Sequence, residues 1–91
     1  MTATYVYREH DRVGQALGVS FGWNELISSY FLEVYDWYDS TNYKIQLGSD
    51  IRRFEEVNLF LEVATKELEQ IGVSHEEFEK RVREMARADH H

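Results

Sequence analysis

The chain has 91 residues, a formal net charge of −7 and no cysteine or proline. Its length predicts a single domain over residues 1–91. Because cysteine is absent, disulfides are excluded, and a zinc site would have only His and carboxylate ligands. The acidic charge disfavours direct binding to nucleic acid. We find neither a signal peptide nor the ~20 consecutive apolar residues of a membrane span, so we expect a cytoplasmic protein that does not associate with membranes.

The first 48 residues alternate between apolar and small or polar side chains, which is the pattern of half-buried strands. Turn-forming residues occupy the stretches between the alternating segments, notably 9–12 and 38–42. Since short connections favour antiparallel neighbours, we predict a four-stranded meander. Its strands are predicted at residues 5–7, 17–22, 30–37 and 43–47.

After Gly48 apolar residues recur every three or four positions, which predicts a helical part over residues 49–88. The first apolar stripe begins at Phe54 and should end at Gly72, a residue suited to a left-handed helix cap. A second helix should begin at Ser74, because Ser74 and Glu77 have the spacing of a capping box. Residues 89–91 are expected to form a disordered tail.

Strands followed by helices indicate an α+β fold, with an antiparallel four-stranded meander and two C-terminal helices packed on one sheet face. The core should combine the inward side chains of the strands with the stripe of the first helix. These predicted core residues are Leu17, Val19, Phe21, Leu32, Val34, Ile45, Leu47, Phe54, Val57, Leu61, Ala64 and Leu68.

The sequence contains no nucleophile elbow, Walker loop or dinucleotide-binding fingerprint. Glu9, His10 and Asp11 combine acid–base side chains, but adjacent residues on a turn do not converge on one point. His75 and Glu79 lie one helical turn apart, as metal ligands often do, yet a third ligand is not near in sequence. We therefore expect a protein that is not an enzyme and that uses no cofactor or metal.

Aromatic residues of the third predicted strand are the first candidate for a binding function. They alternate with the core residues of that strand, so they should lie on the sheet face away from the helices. An exposed patch of Tyr and Trp is typical of interface cores. Alternatively, the rings cover the small residues of the neighbouring strand, Gly18, Ser20 and Gly22. The aromatic residues assigned to the candidate surface are Phe31, Tyr35, Trp37, Trp23 and Tyr38, with Tyr43 close in sequence.

Carboxylates are the second candidate. Glu55 and Glu62 belong to an acidic run on the first predicted helix that only Lys66 offsets between residues 54 and 71. With Asp36 and Asp39 near the third strand, they would present a phosphate-like array to a basic, nucleic-acid-binding protein. A solvated helix face is the alternative interpretation of the same charges.

Together these features favour a small acidic, non-enzymatic protein-interaction module. One concrete form of this hypothesis is a phage- or plasmid-type inhibitor, similar in action to an anti-CRISPR protein, that blocks a basic nucleic-acid-binding protein. Two alternatives stay open. One is a structural homodimer, in which a second copy completes the narrow apolar stripe of the second helix; the other is a small-molecule or metal-binding module.

Overall fold

A computed structural model describes residues 3–89 of the chain, with side chains described for residues 4–88. The strands are β1 (Ala3–His10), β2 (Ala16–Asn24), β3 (Ser29–Asp36) and β4 (Asp39–Leu47), and the helices are α1 (Val57–Gln70) and α2 (Glu76–Asp89). The sheet has the order β1-β2-β3-β4, with every neighbouring pair antiparallel. The predicted α+β meander with two C-terminal helices is confirmed. Within residues 3–89 neither helix is long and apolar enough to cross a membrane.

The core lies between the sheet and the two helices, where alternate residues of β2 and β3 meet the apolar helix stripes. Of the predicted core residues, Leu47 and Val57 are half-buried at its margin and the rest are buried. Helix α2 adds Phe78, Val82 and Met85, which are also buried. Phe78 contacts Phe21 edge-to-face, with ring centroids 4.9 Å apart, and this contact joins α2 to the sheet.

β1, β2 and β4 are longer than the alternation alone predicted, whereas β3 has the predicted length and begins one residue earlier. The turn predicted at residues 38–42 is wrong, because the chain reverses at Trp37 and Tyr38 and β4 begins at Asp39. Asp36 pairs with Asp39 across this two-residue connection, and the Asp36 carboxylate accepts a hydrogen bond of 2.9 Å from the Tyr38 amide. Two-residue loops are the commonest hairpin connections. Because β4 begins with polar residues, apolar alternation in the sequence does not indicate this hairpin.

The connection from β4 to α1 crosses close to the start of β3. Gly48 has φ of +87°, and a Cβ at this position would collide with the backbone of Tyr30 and Phe31, so glycine is required. Phe54 is buried although it precedes α1, which begins at Val57. The buried Ser29 hydroxyl accepts a bond of 2.8 Å from the Phe54 amide and donates one of 2.7 Å to the Tyr30 carbonyl.

The corner between the helices has the predicted glycine cap. Gly72 has φ of +77°, its amide donates to the Glu69 carbonyl, and the Val73 amide donates to the Leu68 carbonyl. These two bonds form a Schellman motif. Helix α2 begins at Glu76, two residues after Ser74, and extends to Asp89. Asp89 is therefore helical, contrary to the predicted tail, whereas His90 and His91 lie outside the described residues.

Candidate functional site

The helices cover one face of the sheet, and the opposite face carries the aromatic residues of β3. We call this second surface the open face. Strand alternation and the pairing of Gly18 with Tyr35 and of Gly22 with Phe31 define it. Its residues are Val6 and Arg8 from β1, Gly18, Ser20 and Gly22 from β2, Phe31, Glu33 and Tyr35 from β3, Trp37 from the hairpin, and Tyr43 from β4.

Gly18 in β2 forms a floor on which the Tyr35 ring of β3 lies. Gly18 and Gly22 are buried, whereas Phe31 and Tyr35 are half-buried. A Cβ added at Gly18 would overlap the Tyr35 ring, so the ring rests directly on the β2 backbone. The Tyr35 ring thus covers the glycine-lined strand at Gly18, as one interpretation predicted, and still exposes part of its surface.

Trp37 and Tyr43 extend this ring surface to both sides of Tyr35. Trp37 is 39% exposed and Tyr43 is 42% exposed. The Arg8 guanidinium lies 5.7 Å from the centre of the Trp37 ring, within the range of a cation–π contact. Tyr43 meets Tyr35 edge-to-face at 6.1 Å. The open face therefore presents a row of rings with one cation at its β1 side.

Glu33 supplies the negative charge of the open face. The pKa of Tyr43 is raised above its usual range, mainly by the negative charge of the Glu33 carboxylate. Partial desolvation and a hydrogen bond between the two side chains contribute less. The Tyr43 hydroxyl, which is protonated at neutral pH as in any ordinary tyrosine, keeps its O–H donor. Arg8 and Glu33 give the open face balanced charge, unlike the chain as a whole.

Comparison of this chain with protein-family models, with curated proteins and with solved structures gives no match.

Three of the predicted aromatic residues, Phe31, Tyr35 and Trp37, lie together on the open face. Trp23 lies on the helix side of the sheet, where its ring contacts the buried Tyr30 ring at 4.8 Å. Tyr38 projects from the tip of the β3–β4 hairpin and is 84% exposed. Trp23 thus belongs to the margin of the core, and Tyr38 lies at one end of the open face.

The two aspartates assigned to the site serve the hairpin. Besides its bond to Tyr38, Asp36 accepts a hydrogen bond of 2.9 Å from the Gln15 side-chain amide. Asp39 accepts bonds from the Thr41 hydroxyl at 2.6 Å and the Thr41 amide at 3.1 Å. These two bonds lower the pKa of Asp39. Both carboxylates have local partners that fix the turn.

The glutamates assigned to the site lie on the other side of the molecule. Glu55 is exposed in the connection before α1, and Glu62 is exposed on α1, where it lies 3.8 Å from the Lys66 ammonium. Helix α1 packs against the sheet through the stacked rings of Phe60 and Tyr30. The sheet therefore separates these carboxylates from the open face, and one flat partner surface would not contact both.

The acid–base and metal motifs do not assemble a site. Glu9 and His10 alternate along β1 and so point to opposite faces of the sheet. His75 contacts Glu69 at 3.0 Å and Glu79 at 3.9 Å, which ties the end of α1 to the start of α2. Within residues 3–89 no group of three or more His, Cys, Asp or Glu side chains is placed to hold a metal ion.

Sequence reasoning missed Val6 and Arg8 as members of the open face. Val6 is 58% exposed. The predicted strand at residues 5–7 was too short to show that Thr4, Val6, Arg8 and His10 share one side of β1. Glu9 and His10 were assigned to a turn, which ended the predicted strand too early. Alternation followed through His10 would have placed Val6 and Arg8 on the open face.

Proposed function

We propose that this protein is a non-enzymatic protein-interaction module that binds its partner through the open face. The observation that carries the proposal is the row of partly exposed rings, Trp37, Tyr35 and Tyr43, on the sheet face that the helices leave uncovered. Tyr and Trp at the centre of a surface, with charged groups at its edge, are the composition of interface cores.

The setting of the rings suits recognition. Tyr35 is held against Gly18 and Trp37 against Arg8, so these side chains would lose little conformational freedom on binding. Burying the exposed part of the Trp37 ring would contribute roughly 2 kcal/mol at about 25 cal/mol per Å². Several such rings supply the hydrophobic centre of a specific interface.

The charge of the chain favours a basic partner. Arg8 and Glu33 balance each other on the open face, so the net charge of −7 would act mainly at long range. Such charge accelerates encounter with a basic protein without contributing direct contacts. An inhibitor that blocks a basic nucleic-acid-binding protein, including one of phage or plasmid origin, is one form of this function.

The Glu55 and Glu62 side of the molecule offers the second candidate surface for such a partner. Among residues 3–89, two of the four glutamates of α2 pair with arginines, Glu77 with Arg81 at 2.9 Å and Glu79 with Arg83 at 3.2 Å, and α2 carries four Lys and Arg side chains in all. Helix α1 carries three glutamates and one Lys or Arg side chain, Lys66, which pairs with Glu62. Its carboxylates are therefore the more available for a basic surface.

The test is affinity purification from the native host with three versions of the chain. A double variant, Trp37→Ser with Tyr43→Ser, alters the open face, and Leu59→Ser removes an exposed apolar side chain on α1 as the matched control. We expect a partner bound by the wild type and by Leu59→Ser to be lost from the double variant.

Binding kinetics with the partner obtained in this way distinguish the two surfaces. Glu55→Gln with Glu62→Gln should reduce the association rate of the purified partner and leave its dissociation rate unchanged, because long-range charge affects encounter. Retention of the partner by the double aromatic variant, with its loss on Glu55→Gln and Glu62→Gln, would contradict the open face as the binding surface.

A further inference from the structure

The outer edge of β1 is unpaired within residues 3–89, since β1 is the first strand of the sheet order. Its register with β2 is regular from Ala3 to His10, without a bulge. An edge strand of this kind presents a row of free backbone donors and acceptors to another strand. β4, the other edge, has register shifts opposite Val34 to Asp36 and carries Lys44, two features that discourage edge pairing.

The side chains along β1 are suited to contact with another strand. Val6 is 58% exposed and Tyr5 is 39% exposed. Beside them a groove of about 350 Å³ runs between β1 and α2, lined by Tyr5, Tyr7, Phe21, Glu77 and Arg81 among others. The Tyr7 hydroxyl lies buried in this region with no hydrogen-bond partner among the described residues. The edge thus combines free backbone groups with apolar surface and a polar atom that lacks a partner.

The charges beside β1 are complementary to a second copy of the same edge. The Arg81 guanidinium lies 5.8 Å from the centre of the Tyr5 ring and donates to the Glu77 carboxylate of its own copy at 2.9 Å, and Glu77 lines the groove together with Tyr7. In an antiparallel pair centred on Val6, Tyr5 of one copy lies opposite Tyr7 of the other, because residues equally far from the centre face each other. Arg81 of each copy would then also lie beside Glu77 of the other, so that the two ion pairs join into one network of alternating charge.

We propose that β1 pairs antiparallel with β1 of a second copy, across a two-fold axis through Val6 and perpendicular to the sheet. This register keeps the helices of both copies on one side and joins the two open faces on the other. Arg8 lies opposite Thr4, so no like charges oppose each other along β1. The pairing creates an eight-stranded sheet and does not depend on the function proposed for the open face.

Cysteine cross-linking tests the register directly, because the chain has no cysteine. In the proposed dimer the two Val6 Cα atoms are about 4.5–5.5 Å apart, within disulfide range. We expect Val6→Cys to form a disulfide-linked dimer under mild oxidation, whereas Thr4→Cys, on the same face two residues away, should remain at least tenfold less cross-linked. The double variant Thr4→Cys with Arg8→Cys should cross-link as Val6→Cys does.

Sedimentation equilibrium of the cysteine-free chain gives an independent result. Val6→Lys places two ammonium groups opposite each other, so the dimer dissociation constant should rise at least tenfold, with an unchanged circular dichroism spectrum because Val6 is exposed. A monomeric wild type at several hundred micromolar, a dimer unaffected by Val6→Lys, or equal cross-linking of the Val6→Cys and Thr4→Cys chains would each overturn the proposal.

Discussion

Replacing Ser29 with alanine removes a side chain that, beside the backbone bond from the Tyr30 amide to the Phe54 carbonyl, joins the β4–α1 connection to the start of β3. The Ser29 hydroxyl accepts from the Phe54 amide at 2.8 Å and donates to the Tyr30 carbonyl at 2.7 Å, and all of these groups are buried. A buried amide left without an acceptor costs about 1–3 kcal/mol, and the lost hydroxyl bond adds about 1 kcal/mol. We therefore expect Ser29→Ala to lower the free energy of unfolding by about 2–4 kcal/mol.

Urea denaturation followed by circular dichroism measures this change, with Ser40→Ala as the control. Ser40 is exposed in β4, and its replacement should change the free energy of unfolding by less than about 0.5 kcal/mol. For a chain of this size the Ser29→Ala loss corresponds to a fall in Tm of roughly 10–20 °C. If Ser29→Ala unfolds at the same urea concentration as Ser40→Ala, the hydroxyl does not hold the connection and the account of this loop is wrong.

Two further substitutions probe the two faces of the sheet. Gly18→Ala places a methyl group where the Tyr35 ring lies, so the ring should move towards solvent at a cost of about 1–3 kcal/mol in urea denaturation; a crystal structure with the Tyr35 ring unmoved would refute the glycine floor. Burial, with smaller contributions from Glu9 and Glu77, raises the pKa of Tyr7 from 10.0 to about 12. The unfolded chain therefore releases this proton first, so the stability is complete below pH 10 and falls as the pH rises towards 12. The pKa shift corresponds to ~2.7 kcal/mol of unfolding free energy, which partial exposure of Tyr7 reduces to about 1 kcal/mol. Tyr7→Phe should therefore make the fall in unfolding free energy between pH 10 and pH 12 less steep, measured at a low protein concentration at which the chain is monomeric. An equally steep decline in Tyr7→Phe would show that another group causes it.

The order of elements and most of the core follow from periodicity. Alternation at Leu17, Val19 and Phe21 and the helical spacing after Phe54 each indicate one buried side, and the buried residues agree. The Gly72 cap was predictable because few residues other than glycine adopt its conformation. These features depend on residues that are close together in the sequence, which is why they could be predicted from it.

The beginning of β4 and the start of α1 were not predictable in the same way. β4 opens with polar residues whose position depends on pairing with Asp36 across the hairpin. Phe54 continues the apolar spacing of α1, but its backbone is held by Ser29, 25 residues earlier in the chain, and so it lies outside the helix. Pairing across the hairpin decides where β4 begins, and a contact between distant segments decides where α1 begins.

The candidate site was predicted only in part, for a related reason. Alternation along β3 placed Phe31, Tyr35 and Trp37 on one face, as the structure has them. Closeness in sequence grouped Trp23 with them, although its position in β2 places it on the helix side. The separation of Glu55 and Glu62 from the rings depends on which sheet face the helices cover, and periodicity does not determine that.

The central claim is that the open face binds a protein partner, and titration calorimetry of the purified partner tests it most directly. With the partner from the affinity experiment, Trp37→Ser with Tyr43→Ser should weaken binding at least a hundredfold, since two ring anchors at an interface centre are removed. Leu59→Ser should bind with the wild-type Kd. Equal affinity of the wild type and the double aromatic variant would contradict the claim.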